Sequence, residues 1–301
     1  MKKILLIGGN GFVGKHLKNA LIGSYEVIST GKELNINNLH DLEKFISQIK
    51  PDAVVHLAAI SSIIDSIDDP QKTFDVNFLG TLNVLLALKK NKFNGRFLFI
   101  SSSQVYGSVD ENELPVSETS HLKPDNPYAV SKAAAELLCL QWIKTENFKI
   151  IIARPFNHIG PGQSENFSIS NFGLQLAQIK LGIKKSFIEI GDISMFRDFT
   201  DVRDVVSAYK LLLENGKEGE TYNIASNSEK TIKSLLDRMI QISGLEVDLR
   251  INKSRLRAND QQKLIGDNSK LIEDLCWERK YFIDDTLEDI LNFWIDKTKT
   301  K

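Results

Sequence analysis

The sequence predicts an α/β fold: a doubly wound parallel sheet with a smaller mixed α/β lobe toward the C-terminus. Three observations carry this. Short apolar runs alternate with stretches of helical length through the first half of the chain. A glycine-rich turn joins the first apolar run directly to the first helical stretch. After about residue 155 the alternation loosens, and Gly160-Pro161-Gly162 interrupts it.

In chain order, Lys3–Ile7, Glu26–Thr30, Ala53–Leu57, Arg96–Ile100 and Lys149–Ala153 read as strands buried on both faces. Between them Phe12–Leu21, Leu39–Gln48, Pro70–Asn91 and Tyr128–Thr145 have helical length and period. Beyond the break come a helix at Ser170–Leu181, short strands, a strand at Thr221–Ala225, and helices at Thr231–Ser243 and Thr286–Lys297, with an Arg/Lys-rich segment at Lys253–Arg257. The start, Met1–Ile7, has the charge pattern of a signal peptide. Its apolar run stops at Gly8-Gly9, too short for that, and a first strand is expected.

The 301 residues suffice for a large core and two lobes. A net charge of −1 leaves no basic field for nucleic acid or an anionic membrane. No apolar run approaches the ~20 residues of a membrane span. The two cysteines, Cys139 and Cys276, form neither a metal motif nor a disulfide framework, so a cytoplasmic protein without a metal is expected.

Gly8, Gly11 and Gly14 form G-x-x-G-x-x-G between the first strand and first helix. Glycine there permits a tight turn and close backbone approach to a pyrophosphate, which the helix N-terminus then binds. The reading is a Rossmann-type dinucleotide-binding domain over 1–155, with 196–225 returning to it; 156–195 and 226–301 form a substrate lobe. A site for NAD carries an acid at the end of the second strand, where this chain has Ser29-Thr30-Gly31-Lys32. Hydroxyls and a lysine suit a 2′-phosphate, so NADPH is the expected cofactor, with NADH as the alternative carrier. His56, ending the third strand, reads as a core histidine. Asn77 reads as a tie between helix and backbone.

Tyr128 and Lys132 lie one helical turn apart on one face, with Ser101-Ser102-Ser103 upstream. A nearby ammonium lowers a phenol's pKa, and a hydroxyl from another segment can share a substrate oxygen with it. That set suits proton transfer at a carbonyl or alcohol oxygen during hydride chemistry.

Together, the glycine loop, His56–Ala59, Asp75-Val76-Asn77 with Gly80-Thr81, Ser101–Gly107 and Tyr128–Lys132 make the chain resemble the extended short-chain dehydrogenase/reductase family, also called the NAD-dependent epimerase/dehydratase family. The resemblance covers essentially the whole chain. It implies Tyr128 as general acid/base, Lys132 as its support on the nicotinamide ribose, and Ser102 as the catalytic hydroxyl. It implies cofactor contacts from Gly8, Asn10, Gly11, Phe12, Val13, Gly14, Thr30, Lys32, Asn35, Ile36, Leu57, Ala58, Ala59, Asn77, Ser101, Tyr128, Lys132 and Pro155. Substrate contacts are expected from Ser61, Ser102, Ser103, Gln104, Tyr128, Asn157, Gln163, Arg197 and Arg257.

Family members that dehydrate sugar nucleotides place an acid just after the catalytic hydroxyl, and Ser103 and Gln104 stand there. Those that epimerise carbons 3 and 5 use a Cys near Gln104 and a His in the substrate lobe. This chain has neither, as no histidine follows His158. Arg154–Gln163, Met195–Asp204 and Arg255-Leu256-Arg257 with Asp260 resemble the GDP-6-deoxy-D-mannose reductases. Ala258 and Gln104 depart from that group, which has Pro and Glu there. The resemblance implies NADPH-dependent reduction of GDP-4-keto-6-deoxy-D-mannose to GDP-D-rhamnose for O-antigen or other polysaccharide, by a homodimer joined through a four-helix interface. Reduction of a dTDP-4-keto-6-deoxyhexose and sugar-nucleotide 4-epimerisation are the alternatives. His158 is expected to be a packed loop histidine, and Arg203 to pair with Asp201 or Asp204.

Overall fold

The computed structural model describes residues 1–252 and 263–300. In chain order the elements are β1 (Lys3–Ile7), α1 (Phe12–Leu21), β2 (Glu26–Ser29), α2 (Leu39–Ile49), β3 (Ala53–His56), α3 (Ile63–Asp68), α4 (Pro70–Phe74), α5 (Gly80–Lys90), β4 (Arg96–Ile100), α6 (Pro127–Glu146), β5 (Lys149–Pro155), β6 (Asn157–Ile159), α7 (Ser168–Lys180), β7 (Phe187–Ile190), β8 (Phe196–Asp201), α8 (Val202–Asn215), β9 (Thr221–Ile224), β10 (Glu229–Thr231), α9 (Ile232–Ser243), β11 (Asp248–Ile251), α10 (Ser269–Leu275) and α11 (Ile283–Lys299).

Six strands in the order β2-β1-β3-β4-β5-β9 form one sheet, parallel throughout. Side chains alternate between its faces, as the two-residue period of a strand requires. Ile4 and Leu6 join Val55, Leu98 and Ile151 beneath α1 and α8. Leu5 and Ile7 join Val54, Phe97, Phe99 and Ile152 beneath α2, α5 and α6. Each such fully buried side chain contributes roughly 1.5–3 kcal/mol. This is the Rossmann-type doubly wound sheet that the alternation predicts. The strand order turns at β1 and β3, and a crevice opens beyond their C-terminal ends.

The second lobe contains the β10-β8-β6 and β11-β7 sheets with α7, α9 and α11. Its core holds Phe172, Leu176, Leu236, Met239, Ile290 and Trp294. Among the described residues, no helix is long and apolar enough to cross a membrane.

Several elements differ from the sequence reading, among them the short helices α3 and α10, which it did not include. Pro70–Asn91 is not one helix: α4 and α5 are separated by a wider π-helical turn at Asp75–Leu79. That turn lets the Asn77 side chain reach Ile60 and Ser131, a use common to such turns at functional sites. The helix α8 was not anticipated. Its buried positions Val202, Val205, Val206, Tyr209, Leu212 and Leu213 have helical spacing, and Asp201 caps it through the Arg203 N–H.

Candidate active site

The glycine turn is shaped by contact. Gly8 has φ +84°, and a Cβ there would lie 2.5 Å from the Ala58 nitrogen. The turn after β1 therefore presses against Leu57-Ala58-Ala59 after β3. A Cβ at Gly14 would meet the Gly9 backbone at 2.4 Å, so α1 starts hard against the turn. Gly11 begins α1 without a side-chain cap, and its first turn carries no acid. The N–H groups of Phe12, Val13 and Gly14 thus present a positive helix end fit for a pyrophosphate. The cradle fits a dinucleotide.

The end of β2 differs from the sequence reading. Thr30, expected to face the cofactor, is buried and turns its hydroxyl inward to the Leu6 carbonyl. An acid does stand at this corner. Glu33 folds back, and its carboxylate accepts from the Gly31 N–H (2.6 Å) and the Asn10 amide (3.1 Å). Lys32 is exposed beside it. The exposed Asn35 carboxamide oxygen accepts from the Asn37 N–H within its own turn. The Ile36 side chain lies in the core against Gly80, and its carbonyl accepts from Asn83.

The groups expected to be catalytic meet at the C-terminal end of β4. Tyr128 lies in the first turn of α6, which starts with Asn126 as cap and Pro127 at its first position. Its N–H donates to Ser66 Oγ (3.2 Å). Burial pushes the phenol above its ordinary pKa, and a hydrogen bond with Ser102 draws it back in part. The expected lowering by Lys132 is not what this structure shows. The Lys132 ammonium donates to the Ile100 carbonyl and sits 4.4 Å from the Phe99 ring centroid. Burial brings Lys132 down to about 8 against the opposing pull of Cys139 and Glu136, so the side chain is charged at neutral pH. Ser102 Oγ accepts from the Gln104 N–H (3.2 Å), opening the turn that buries Ser103.

Below these groups runs a buried polar network that the sequence reading missed. Glu136, one turn after Lys132, accepts from Ser101 Oγ (2.7 Å) and pairs with Arg154. Arg154 also donates to Tyr106 Oη (2.8 Å) and to the Glu118 carbonyl (3.0 Å). Tyr106 Oη donates to Asn223 Oδ1 on β9 (2.6 Å). Five segments around Ser102 are thereby fixed to one another. Asn77 plays a parallel part: it bonds the Ile60 backbone in both directions and donates to Ser131 Oγ, which donates to the Tyr128 carbonyl.

His56 bears out the core reading. Its Nε2 pairs with Thr81 Oγ1 (3.0 Å), and burial with the nearby Lys132 charge pulls it down to about 3. His158 is packed as expected, but on strand β6 rather than in a loop. It stacks on Phe12 with ring planes 13° apart, while His16 bonds the Pro161 carbonyl (2.9 Å), bringing the 156–162 segment against the glycine turn. Arg203 pairs with Asp201, as expected for one of two partners, and otherwise with Asp289 and the Tyr281 ring; Asp204 instead accepts from the N–H groups of Lys280 and Tyr281.

The residues expected to touch substrate fall in three places. Ser102, Ser103, Gln104 and Tyr128 share the β4 end. Ser61 is exposed on the loop before α3. Asn157 on β6 and Arg197 on β8 share a sheet, in which Asn157 pairs with Phe199. Asn157 Nδ2 and Gln163 Oε1 are buried atoms that no group among the described residues pairs. Arg197 is buried and donates to the Phe196 carbonyl. Arg257, with Ala258 and Asp260, lies outside the described residues. Pro155 ends β5, level with Ile224 of β9. Among the described residues no cluster of His, Cys, Asp or Glu is arranged to hold a metal.

Residues 30–290 match the family model for GDP-mannose 4,6 dehydratase. The chain is 40% identical to GDP-6-deoxy-D-mannose reductase of Pseudomonas aeruginosa, over 99% of both chains. The chain belongs to the extended short-chain dehydrogenase/reductase family. Within that family it is also 31% identical to GDP-6-deoxy-D-talose 4-dehydrogenase of Aggregatibacter actinomycetemcomitans, over 90% of both. The structure of RMD from Pseudomonas aeruginosa complexed with NADPH superposes with a TM-score of 0.92 at 39% identity, covering 99% of this chain and 100% of that one. The UDP-glucose 4-epimerase of Thermus thermophilus in complex with NAD gives 0.88 at 25% identity, covering 97% and 98%. The chain is accordingly an NAD(P)-dependent oxidoreductase of this family.

Removing one partner of a buried ion pair leaves an uncompensated charge. Arg154→Ala is therefore expected to cost about 3–5 kcal/mol in denaturant unfolding, and Glu136→Leu/Arg154→Met to recover most of it. Equal losses in both variants would show that the pair's charges are not what matters.

Proposed function

We propose that this enzyme reduces the 4-keto group of a nucleotide-linked 4-keto-6-deoxyhexose with NADPH, GDP-4-keto-6-deoxy-D-mannose being the preferred substrate and GDP-D-rhamnose the product. The observation that carries the reading is what surrounds the proton donor. Ser103 and Gln104 stand where a dehydratase needs a carboxyl group, while Tyr128, Ser102 and Lys132 are gathered at the end of β4. The reductase of Pseudomonas aeruginosa supports the choice of GDP.

NADPH, held by the glycine cradle, would supply the hydride for carbon 4. Tyr128 donates its proton to the ketone oxygen, completing the alcohol. Its raised pKa keeps that proton in place at neutral pH until a transition state with charge on oxygen draws it off. Ser102 donates to the same oxygen and steadies the phenolate that results, while Lys132, anchored on the Ile100 carbonyl, would hold the nicotinamide ribose. Asn157 and Gln163 bring unpaired buried polar atoms to the substrate lobe, a donor and an acceptor for sugar hydroxyls. Arg197 suits the diphosphate.

The proposal extends to a homodimer. Ile64, Ile67, Leu79, Val130 and Leu137 are exposed on α3, α6 and the turn before α5. These elements pack on one another, and their exposed apolar side chains would be covered by a second copy. Two free thiols fit a reducing compartment, in keeping with a cytoplasmic enzyme supplying deoxyhexose for lipopolysaccharide or another polysaccharide.

GDP- and dTDP-4-keto-6-deoxyhexoses offered with NADPH, with products read by NMR, test the reaction. The GDP sugar should become the 4-hydroxyl product, and Tyr128→Phe should fold and bind NADPH yet lose roughly 10²–10⁴-fold in turnover. Full turnover in that variant would remove Tyr128 from the chemistry. NAD-dependent interconversion of UDP-hexoses without added NADPH would favour a 4-epimerase. Light scattering at micromolar concentration should give a dimer of the 33.9-kDa chain, and Leu137→Glu a monomer. A wild-type monomer would refute the interface.

A further inference from the structure

The corner at the end of β2 holds more than the sequence predicts. Asn10 ties the glycine turn to β2, its N–H donating to the Thr30 carbonyl (3.2 Å) and its Oδ1 accepting from Ser29 Oγ (3.1 Å). The Asn10 amide is thereby aimed outward, and with the Gly31 N–H it converges on a single oxygen of Glu33. Two donors from separate segments meeting on one anionic oxygen make an anion seat, and the 2.6 Å bond has the short length of a charge-assisted contact. A Cβ added to Gly31 would lie 2.8 Å from the other Glu33 oxygen and 2.9 Å from the Asn10 amide, so the three groups are in direct contact.

We propose that the Glu33 carboxylate occupies the seat of the adenosine 2′-phosphate, as a built-in anion that NADPH must displace and NADH need not. The inference rests on the dinucleotide reading of the glycine cradle given above. The corner lies at the C-terminal edge of the sheet beside that cradle, where the adenosine ribose of a dinucleotide falls. A 2′-phosphate needs N–H donors and a cation. Gly31 and Asn10 supply the donors, and the exposed Lys32 the cation. The donors are engaged by a group of the same charge as the ligand. Glu33's own N–H and that of Gly31 hold its carboxyl below the usual range, so the occupant is a full anion at neutral pH. Glu33 is exposed, so its side chain can swing into solvent without disturbing the core. With NADH the carboxylate stays and accepts from the 2′-hydroxyl. With NADPH it leaves, and the phosphate takes over both donors. Glu33 thus narrows the preference for NADPH that Lys32 and the donors would otherwise give.

Titration of the full chain with NADPH, NADH and 2′,5′-ADP, in wild type, Glu33→Gln and Glu33→Ala, tests this. Both variants should bind NADPH and 2′,5′-ADP about tenfold more tightly, while NADH binding holds within about twofold or weakens. Wild type that binds both dinucleotides, with variants whose NADPH affinity is unchanged or lower, overturns the inference and leaves the cofactor site standing. Wild type that binds no dinucleotide overturns the cofactor site, and this inference with it.

Discussion

The Glu136–Arg154 ion pair, buried between α6 and β5, is the constraint around which the catalytic end of the sheet is organised. Two charges withdrawn from water are tolerated only when every remaining donor and acceptor is engaged. Here Glu136 accepts from Ser101, and Arg154 donates to Tyr106 and to the Glu118 carbonyl. Tyr106 passes the connection to Asn223, which in turn donates to the Val116 carbonyl. The pair therefore fixes β4, β5, β9 and α6 at one point. Ser102 follows Ser101 directly, and Lys132 precedes Glu136 by one turn. The proposed catalytic groups, from separate segments, inherit their spacing from this contact.

The chemistry follows from how these groups are buried. A phenol that desolvation holds protonated is a poor acid toward water and a suitable one toward an oxygen gaining charge beside it. Lys132, one helical turn along from Tyr128, is anchored on the Ile100 carbonyl and over Phe99. The proposed catalytic set contains one proton donor and no carboxylate. It matches a reaction that adds hydrogen across one carbonyl, and lacks the acid that water removal needs.

Much of this was legible in the sequence. β1 and β4 fall where the apolar runs place them, because strands buried on both faces leave an uninterrupted apolar signal. The glycine turn and the Tyr128–Lys132 spacing were equally plain, being local patterns. What depends on side chains meeting across the fold was not. Glu136 reads as one more charge on a helix until Arg154 is found opposite it. Glu33 lies past the strand end, and only the fold-back onto Gly31 makes it part of the cofactor corner. α8 opens on Val202, Val205 and Val206, which favour strand, and only the helical spacing of its buried positions reveals it. The π-helical turn at Asp75–Leu79 is set by the bonds of Asn77, and no periodicity announces it.

In the proposed reaction this site delivers hydride to carbon 4 of a keto sugar while Tyr128 protonates its oxygen. It is tested most directly by following the label from nicotinamide-deuterated NADPH. Incubation with GDP-4-keto-6-deoxymannose should place one deuterium on carbon 4 of the product sugar, with one equivalent of oxidised cofactor formed. Deuterium at another carbon, or an unlabelled product with the cofactor returned in its starting form, would contradict the account.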